Sequence, residues 1–412
     1  MGQLEHVLSV IAERRAEFEA KGHVPAGVIE EFKRAGVYRA GVPRRFGGDA
    51  LAPAEFLRVV ERISEVDGSA GWVASFGSAT VYLAGLPLET QAELYADGPD
   101  VVFAGGLFPV QPAARVAGGY LVDGRWKFAS GCQGADVLGV GIKADPVGGV
   151  GEVGRADGVG DAGRAGGVGD VGRAGGVGGG GRAGGGGGGA SVGRPLTAVL
   201  RPEQVEIVEN WDVIGLRGTG SHDLAVAGVV VPEEWTFVRG GPATVDEPLY
   251  RYPTVPYAAQ VLAVVGLGVA RAALDHVTAD GARPAWTGAP KPADRATYRI
   301  SIAQSEARLR SARAYFYEVT HEVWATVEAG DPASREQASA LRLASTHLAR
   351  TAFEVTRAAY QLGGTAAITA GGVLERCLRD ASVVPQHAFL QESVYEGAGA
   401  VLTGVDPFPG YV

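Results

Sequence analysis

Gly124-Arg125-Trp126-Lys127-Phe128-Ala129-Ser130-Gly131 is the stretch of sequence on which the fold assignment turns. Its aromatic and apolar residues lie between two glycines, which predicts a β-strand. Because side chains two residues apart on a strand point to the same face, we expect Phe128 and Ser130 to lie side by side. A flat heteroaromatic cofactor needs an apolar face and a few polar contacts at its edge, and this pair would supply both. An ordinary hydrophobic strand is the alternative interpretation of the same pattern.

The strand lies in a region where apolar residues repeat every second position instead of with the helical period. The change comes near residue 101, and turn pairs such as Gly118-Gly119 and Asp123-Gly124 separate the runs. We therefore predict an antiparallel β domain. Its predicted strands cover residues 101–104, 120–122, 125–128, 137–142, 195–200, 205–208 and 224–231.

Helical spacing of apolar residues dominates on both sides of this region. Asp67 is expected to cap a small apolar helix over 70–86. A nearly all-apolar stretch over 261–277 predicts a buried bundle helix, and the last predicted helix runs over 376–403. The predicted fold is mainly α with a central β domain. In order along the chain, it consists of an N-terminal helical domain (1–101), the β domain (102–245) and a C-terminal helical bundle (246–412).

One segment, 147–189, consists mostly of glycine and repeats a unit similar to GRAGGVGDV. Its arginines recur every nine residues, a period shared with calcium-binding β-rolls. A β-roll needs an aspartate and a large apolar residue at fixed places in each turn, whereas here the only regular aliphatic residue is valine. Because glycine loses more conformational entropy on ordering than any other residue, we expect a disordered insertion between two strands that would otherwise form one hairpin.

The composition argues against several classes of protein. A net charge of −9 argues against a nucleic-acid partner, since such proteins usually present a basic surface. No apolar run is long enough to span a membrane and no secretory signal is recognisable, so we expect no membrane association and a cytoplasmic location. The two cysteines, Cys132 and Cys377, cannot build a disulfide framework. No HxxxH or HExxH spacing occurs, so no metal site is expected.

Two further stretches carry polar residues suited to a binding site. Residues 211–223 are rich in glycine, which lets backbone N–H groups approach a ligand, although a plain turn between strands is the alternative. Arg379-Asp380 is followed, seven residues after the aspartate, by His387. Seven residues make two helical turns, so we expect Asp380 and His387 on one helix face, with His387 as a general base. A structural histidine is the alternative.

A fourth feature is Gln361-Leu362-Gly363-Gly364-Thr365, at the end of a predicted helix. In this order and spacing, the four features resemble the motifs of the acyl-CoA dehydrogenase fold, over nearly the whole chain except the glycine-rich segment. The resemblance implies N-terminal helices, a middle β domain and a C-terminal four-helix bundle that together bind a flavin. The glutamine–glycine loop of this fold reaches a flavin bound mainly by a neighbouring subunit, so the resemblance also implies a homotetramer.

The expected reaction depends on the residues that come after Arg379-Asp380. A typical acyl-CoA dehydrogenase places its base, a glutamate in a Tyr-Glu-Gly-Thr motif, shortly after this pair. Here Tyr395-Glu396-Gly397-Ala398 lies too far along, since Glu396 is sixteen residues from Asp380, and His387 stands near the expected place. This pattern is similar to the flavin-dependent monooxygenase branch. Its members take reduced FMN or FAD from a separate NAD(P)H:flavin reductase and use O2 to hydroxylate or oxidise small, often aromatic, substrates.

The resemblance implies roles for individual residues. Ser130 and His387 are the expected catalytic residues, and Trp72 and Thr80 are expected beside the substrate. The residues expected to bind the flavin are Phe128, Ser130, Arg217, Ser221, Arg295, Gln361, Gly363 and Gly364.

The chain departs from the monooxygenase branch at two places. No histidine follows Trp72 in the next helix, and residues 130–136 lack the histidine and the tryptophan that many members carry there. Two alternatives therefore stay open. One is an FAD-dependent acyl-CoA dehydrogenase with Glu396 or another carboxylate as base, and the other is a non-catalytic binding protein with the flavin-binding fold.

Overall fold

The computed structural model describes residues 2–144, 195–284 and 290–411. The segment 147–189, predicted to be a disordered insertion, lies outside the described residues. Along the chain, helices are followed by a seven-stranded sheet and then by more helices, which confirms the predicted fold class. The helices before the sheet are α1 (Gly2–Lys21), α2 (Ala26–Arg34), α3 (Pro53–Val66), α4 (Gly68–Ser75), α5 (Thr80–Leu83) and α6 (Leu88–Leu94).

Helix α4 is capped by Asp67 as predicted, but it begins at Gly68, two residues early, and is much shorter than predicted. The Asp67 carboxylate caps it by accepting a 2.9 Å hydrogen bond from the Ala70 N–H. The single helix predicted over 70–86 is wrong, because a 3-10 segment separates α4 from α5. The hydroxyls of Ser75 and Ser78 donate to carbonyls three residues before them, at 2.7 and 2.8 Å, and so favour the tighter turn. Helix α4 is therefore only eight residues long, and all of them are buried.

The central sheet contains seven strands: β1 (Phe103–Val116), β2 (Gly119–Ala129), β3 (Val137–Ala144), β4 (Leu196–Leu200), β5 (Glu206–Val208), β6 (His222–Val231) and β7 (Thr236–Val238). Their order is β5-β6-β2-β1-β3-β4-β7. The prediction of a purely antiparallel sheet is wrong for one pair, since β1 and β3 are parallel. After the β1–β2 hairpin, the chain passes through a 3-10 turn at Cys132–Gly134 and returns on the other side of β1. Strands β3 and β4 pair antiparallel on either side of the glycine-rich segment, so that segment does interrupt a hairpin.

The helices after the sheet form a bundle around one central helix. They are α7 (Pro248–Arg251), α8 (Thr254–Asp280), α9 (Ala296–Glu328), α10 (Arg335–Leu362), α11 (Val373–Val383) and α12 (Ser393–Leu402). Helix α8 packs against α3 and α10. It is long and apolar enough to cross a membrane, but 83% of its most apolar window is buried inside the protein. Its apolar composition is therefore explained by its place in the core.

The last helix predicted, over 376–403, is wrong. Helix α11 ends at Val383 and a 3-10 turn, Val384–Gln386, follows it. Pro385 explains the break, because it has no N–H to donate and its ring clashes with a helical backbone. His387 therefore lies beyond the turn in an extended conformation, with φ −64° and ψ 139°.

Candidate functional site

Three hydroxyl groups form a buried row between the end of β2 and the loop that precedes β6. We call Thr219, Ser221 and Ser130 the hydroxyl row. The Oγ atoms of Ser130 and Ser221 are 2.7 Å apart, and the same distance separates Ser221 Oγ from Thr219 Oγ1. All three side chains are buried. The row therefore links two segments that are about ninety residues apart in the sequence.

The direction of the hydrogen bonds along the hydroxyl row follows from the protons available, since a hydroxyl donates one hydrogen bond and accepts two. Thr219 donates to the Leu216 carbonyl at 2.9 Å, so it accepts from Ser221, and Ser221 in turn accepts from Ser130. Ser130 also accepts from the indole N–H of Trp72 at 3.1 Å. The opposite direction would leave the Ser130 proton without an acceptor among the residues described. Ser130 is therefore left able to accept one more hydrogen bond, with no proton to donate.

The imidazole of His387 packs against the same tryptophan. The ring centroids of Trp72 and His387 are 5.9 Å apart in an edge arrangement, and the ring of Phe389 lies 5.1 Å from His387. The structure thus brings together Trp72, Ser130 and His387, three of the residues predicted from the sequence. Phe389 was not predicted, because its place beside the imidazole depends on the turn that ends α11.

His387 is held in its neutral form. Burial, with the positive charge of Arg239 as a second cause, lowers the pKa of His387 to about 4. Its Nδ1 accepts a 3.2 Å hydrogen bond from the backbone N–H of Phe389, so the ring proton lies on Nε2. At neutral pH His387 therefore presents an N–H donor. This protonation state favours a donor role over the general-base role predicted from the sequence.

Phe128 does not share a face with Ser130, so that prediction is wrong. Phe128 has a left-handed backbone conformation with φ +62°, and the pairing of β2 with β6 shifts register between Trp126 and Ala129. Both features interrupt the alternation of side chains along the strand. The Phe128 side chain is 68% exposed whereas Ser130 is 6% exposed. The ring of Trp211 meets Phe128 edge-on at 6.3 Å, so the exposed aromatic surface has a fixed orientation.

The loop before β6 is held in place by α11. The Asp380 carboxylate accepts a 2.7 Å hydrogen bond from the Leu216 N–H. Gly215 packs so tightly on the helix that an added Cβ would lie 2.1 Å from the carbonyl oxygen of Arg379. Asp380 thus holds the loop before β6 in place. The prediction that Asp380 shares a helix face with His387 is wrong, because α11 ends before His387.

The two residues of the Arg379-Asp380 pair have different environments. Arg379 forms an ion pair with Glu375 on its own helix and a second, at 2.8 Å, with Glu19 on α1. Burial, reinforced by the carboxylate of Asp67, raises the pKa of Asp380 to about 7. The pair therefore fastens α11 to the N-terminal helices and to the loop before β6.

Several residues predicted to bind the flavin lie elsewhere in the chain. One of them directly precedes α9, and the others lie in or just after the last turn of α10. Helices α9 and α10 are antiparallel neighbours, so all of these residues lie at the same end of the bundle. Helix α11, with 11 residues, separates that end from the turn before His387 by roughly 16 Å. Their role in flavin binding stays a prediction, and within one chain they do not join the hydroxyl row. The residues concerned are Arg295, Gln361, Gly363 and Gly364.

Thr80 and Arg217, the other two residues predicted to line the site, have different environments in the structure. Thr80 is buried, and its hydroxyl donates to the Gly77 carbonyl at 3.0 Å while packing against Gly41. Arg217 is exposed on the loop that carries Thr219. The proposed contacts of Thr80 with substrate and of Arg217 with flavin stay predictions.

Other chemistries find little support in the site. Glu396 is exposed on α12, where its neighbour Gly397 packs against the ring of Tyr411, so it is not placed to act as the buried base of a dehydrogenase. Burial raises the pKa of Cys132 and Cys377 to about 12, so neither thiol is a nucleophile at neutral pH. Within the described parts of the chain, no group of three or more His, Cys, Asp or Glu side chains could hold a metal ion.

Arg239 is a site residue that the sequence did not reveal. It follows β7, is half-buried, and its guanidinium lies 4.6 Å from the ring centroid of Tyr82. Its charge contributes to the low pKa of His387. No motif or periodicity marks Arg239, because its position depends on the contact between the end of β7 and the N-terminal helices.

Comparison with known proteins places these features in a family. Residues 5–94 match the model of the acyl-CoA dehydrogenase N-terminal domain, and residues 260–392 match that of the acyl-CoA dehydrogenase C-terminal domain. The chain is 48% identical over 401 residues to indole-3-acetate monooxygenase of Pseudomonas putida, covering 97% of this chain and 92% of the relative. It is 27% identical over 329 residues to the oxygenase component of an FADH(2)-dependent resorcinol hydroxylase of Rhizobium sp. (strain MTP-10005), covering 76% of this chain and 70% of the relative.

A solved structure shows the same fold. The crystal structure of 3-HSA hydroxylase from Rhodococcus sp. RHA1 superposes with a TM-score of 0.83 at 23% identity, covering 100% of this chain and 98% of the other. The family models flank the sheet on both sides, and the similarity to the Pseudomonas putida relative extends over nearly the whole chain. The resemblance inferred from the four motifs is confirmed. The chain belongs to the acyl-CoA dehydrogenase family, in its branch of flavin-dependent monooxygenases.

Proposed function

We propose that the protein is the oxygenase component of a two-component flavin-dependent monooxygenase that hydroxylates a small aromatic acid of the indole-3-acetate type. The observation that carries this proposal is the hydroxyl row, which leaves Ser130 able to accept a hydrogen bond but not to donate one. The similarity to an indole-3-acetate monooxygenase supports the substrate class. The similarity to a hydroxylase oxygenase component supports a separate NAD(P)H:flavin reductase as partner.

The residues present fit a flavin. The exposed ring of Phe128, fixed by Trp211, offers an apolar surface to a flat heteroaromatic ring system. Reduced flavin bears a proton on N5 that oxidised flavin lacks, so the free lone pair of Ser130 suits the reduced form. When bound, reduced flavin supplies the electrons that activate O2. This is the cofactor expected of a monooxygenase that receives its flavin from a reductase.

The other site residues have roles that follow from their contacts. The Nε2–H of His387 is a donor for an oxygen atom, either of the activated oxygen or of the hydroxyl group formed on the product. Trp72 positions Ser130 through its indole N–H, and the rings of Trp72 and Phe389 both pack against the imidazole. These rings shield part of the imidazole from water, and exclusion of water protects reactive intermediates from side reactions.

The remaining expectations form part of the same proposal. Arg295, Gln361, Gly363 and Gly364 contact the phosphate or adenine end of FMN or FAD, partly across the subunits of a homotetramer. Arg217 and Ser221 shape the flavin edge of the site, and Thr80 lies on the substrate side. The protein works in the cytoplasm, where a reductase supplies reduced flavin.

The proposal is tested by supplying reduced FMN or FAD, indole-3-acetate and ¹⁸O2, and following the product by mass spectrometry. We expect a hydroxylated product that contains ¹⁸O and forms only when protein, reduced flavin and substrate are all present. A product without ¹⁸O, or oxidation of the flavin with no change in any aromatic acid offered, contradicts the proposal. A parallel anaerobic sample with oxidised FAD and an acyl thioester tests the dehydrogenase alternative, which requires the yellow flavin to bleach.

A further inference from the structure

Arg239 is a half-buried arginine at the edge of the site. It directly follows β7, and a turn with Gly240 at φ +69° carries the chain onward. Its guanidinium stacks on the ring of Tyr82, with 4.6 Å between the guanidinium carbon and the ring centroid. Tyr82 is itself fixed, because its hydroxyl donates to the Thr254 carbonyl at 3.2 Å. The arginine side chain therefore has a supported orientation.

The positive charge of Arg239 has no anionic partner among the residues described. No carboxylate oxygen in the described parts of the chain lies within 4.0 Å of its guanidinium, whereas many other arginines there form such ion pairs. Arg115 offers a direct comparison, since it also stacks on a tyrosine, Tyr120, but forms an ion pair with Glu233. Partial burial of a cation without a counter-charge costs free energy, and a bound anion would offset this cost.

The position of Arg239 relative to the hydroxyl row follows from the N-terminal helices. Gly68 contacts Val269 on α8, and Tyr82 contacts Thr254 at the start of the same helix, so the segment from α4 to α5 runs along α8. Tyr82 lies ten positions after Trp72, a span of roughly 15 Å along the helical segment. An aromatic acid whose carboxylate meets the guanidinium at Tyr82 would extend along this span towards Trp72. The positive charge of Arg239 also contributes to the lowered pKa of His387.

We propose that Arg239 binds the carboxylate of an arylacetate substrate and so determines the preference of the enzyme for aromatic acids over neutral aromatic compounds. The guanidinium can form two parallel hydrogen bonds with a carboxylate while stacked on Tyr82. The aromatic ring of the substrate then extends from Arg239 towards His387 and Ser130. This inference rests on the proposed function and names the residue that recognises the acidic end of the substrate.

The test compares indole-3-acetate with the neutral isostere indole-3-acetamide, each titrated anaerobically into the protein with reduced flavin. For the wild type we expect the acid to bind more tightly than the amide. In Arg239→Gln the affinity for the acid falls about 10- to 100-fold, as expected for a lost charge-assisted hydrogen bond, while the affinity for the amide stays the same. Arg239→Lys keeps the charge and loses less. Arg115→Gln, a tyrosine-stacked arginine remote from the site residues, is the matched control and changes neither affinity.

A second measurement needs neither flavin nor substrate. The pKa of His387, followed by NMR of the imidazole, rises in Arg239→Gln because a neighbouring cation is removed, and stays low in Arg115→Gln. Hydroxylation of aromatic acids by Arg239→Gln with the wild-type preference for acid over amide overturns the role of Arg239 alone. Failure of the wild type to hydroxylate any aromatic compound overturns the proposed function, and the role of Arg239 with it.

Discussion

The Asp380 carboxylate accepts a 2.7 Å hydrogen bond from the backbone N–H of Leu216, across 164 residues of sequence. Leu216 has a left-handed conformation with φ +53°, which a side chain rarely adopts without support from its surroundings. Its carbonyl receives the proton of Thr219, the first member of the hydroxyl row. One carboxylate of the C-terminal bundle thus helps to fix the loop that sets the direction of the hydrogen bonds reaching Ser130.

Replacing Asp380 by Asn should change the dependence of stability on pH. Burial and Asp67 raise the pKa of Asp380 from 3.8 to about 7 in the folded protein, so the folded state holds its proton over this range when the unfolded state does not. This contribution to stability is present at low pH and is lost as pH rises from about 4 to about 7. The amide of Asp380→Asn still accepts from the Leu216 N–H but has no charge to bury.

We therefore expect the free energy of unfolding of Asp380→Asn, relative to the wild type, to rise by roughly 1–4 kcal/mol between pH 5 and pH 8. Urea denaturation at the two pH values measures this difference. Glu396→Gln, which removes an exposed carboxylate from α12, is the control and should show no such rise. Equal differences at both pH values for Asp380→Asn would mean that Asp380 is ionised throughout this range.

The sequence predicted the order of the helices and strands well, two helix bounds wrongly and the site geometry only in part, and particular residues show why. The order of helices and strands follows from the period of apolar residues, which each segment carries within itself. The side-chain direction of Phe128 does not follow from this period. It depends on the positive φ of Phe128 and on a register shift between β2 and β6, which are distant in sequence. His387 was found by its spacing from Asp380, yet Pro385 ends the helix on which that spacing was interpreted. Arg239 belongs to no motif, since only tertiary packing brings it to Tyr82.

Removing one hydroxyl from the hydroxyl row should weaken the preference for reduced flavin. In Thr219→Val the Ser221 proton loses its acceptor and can turn towards Ser130, which then presents its own proton outward. We expect reduced flavin to bind about tenfold more weakly, because one hydrogen bond is lost, and oxidised flavin to bind as well as before or better. Anaerobic and aerobic titrations of the same flavin measure the two dissociation constants.

The matched control for this variant is Thr236→Val. Thr236 is also a largely buried threonine whose hydroxyl donates to the carbonyl three residues before it, at 2.8 Å, but it lies outside the hydroxyl row. Thr236→Val should retain the wild-type ratio of the two dissociation constants. An unchanged ratio in Thr219→Val would show that the direction of the row does not select the redox form of the flavin.

His387 should act as a hydrogen-bond donor that stays neutral throughout the physiological range. Its pKa of about 4 predicts that the coupling of flavin oxidation to product formation does not change through titration of His387 between pH 6 and pH 8. His387→Ala should lower this coupling about 10- to 100-fold, and His387→Gln, whose side-chain amide keeps an N–H donor, should restore part of it. The ratio of hydroxylated product to hydrogen peroxide measures the coupling. A fall in coupling along a titration curve centred near pH 6.5 would instead indicate a histidine that acts as a base.

The low pKa of His387 also has a consequence for stability. The folded state resists protonation of the imidazole until the pH approaches 4, whereas an unfolded histidine takes up a proton below about 6.5. The contribution of His387 to stability is therefore present above pH 6.5 and is lost as the pH falls towards 4. His387→Gln should lose this part of the pH dependence, and comparison of its urea denaturation with that of the wild type at pH 7 and pH 5 measures the change. Equal losses of stability in both proteins would contradict a pKa near 4.

Phe128 should contribute to flavin binding but should contribute little to the stability of the fold. Its ring is 68% exposed and its backbone has φ +62°, so glycine at this position relieves strain of about 1–2 kcal/mol while losing only the edge contact with Trp211, worth about 0.5–1.5 kcal/mol. We expect Phe128→Gly to unfold within about 1 kcal/mol of the wild type and to bind reduced flavin at least tenfold more weakly. Leu402→Ala, which shortens another exposed apolar side chain, on α12, should leave flavin binding intact. Wild-type flavin affinity in Phe128→Gly would mean that the ring contributes nothing to the flavin site, and the fit of a flavin to the end of β2 would then rest on Ser130 alone.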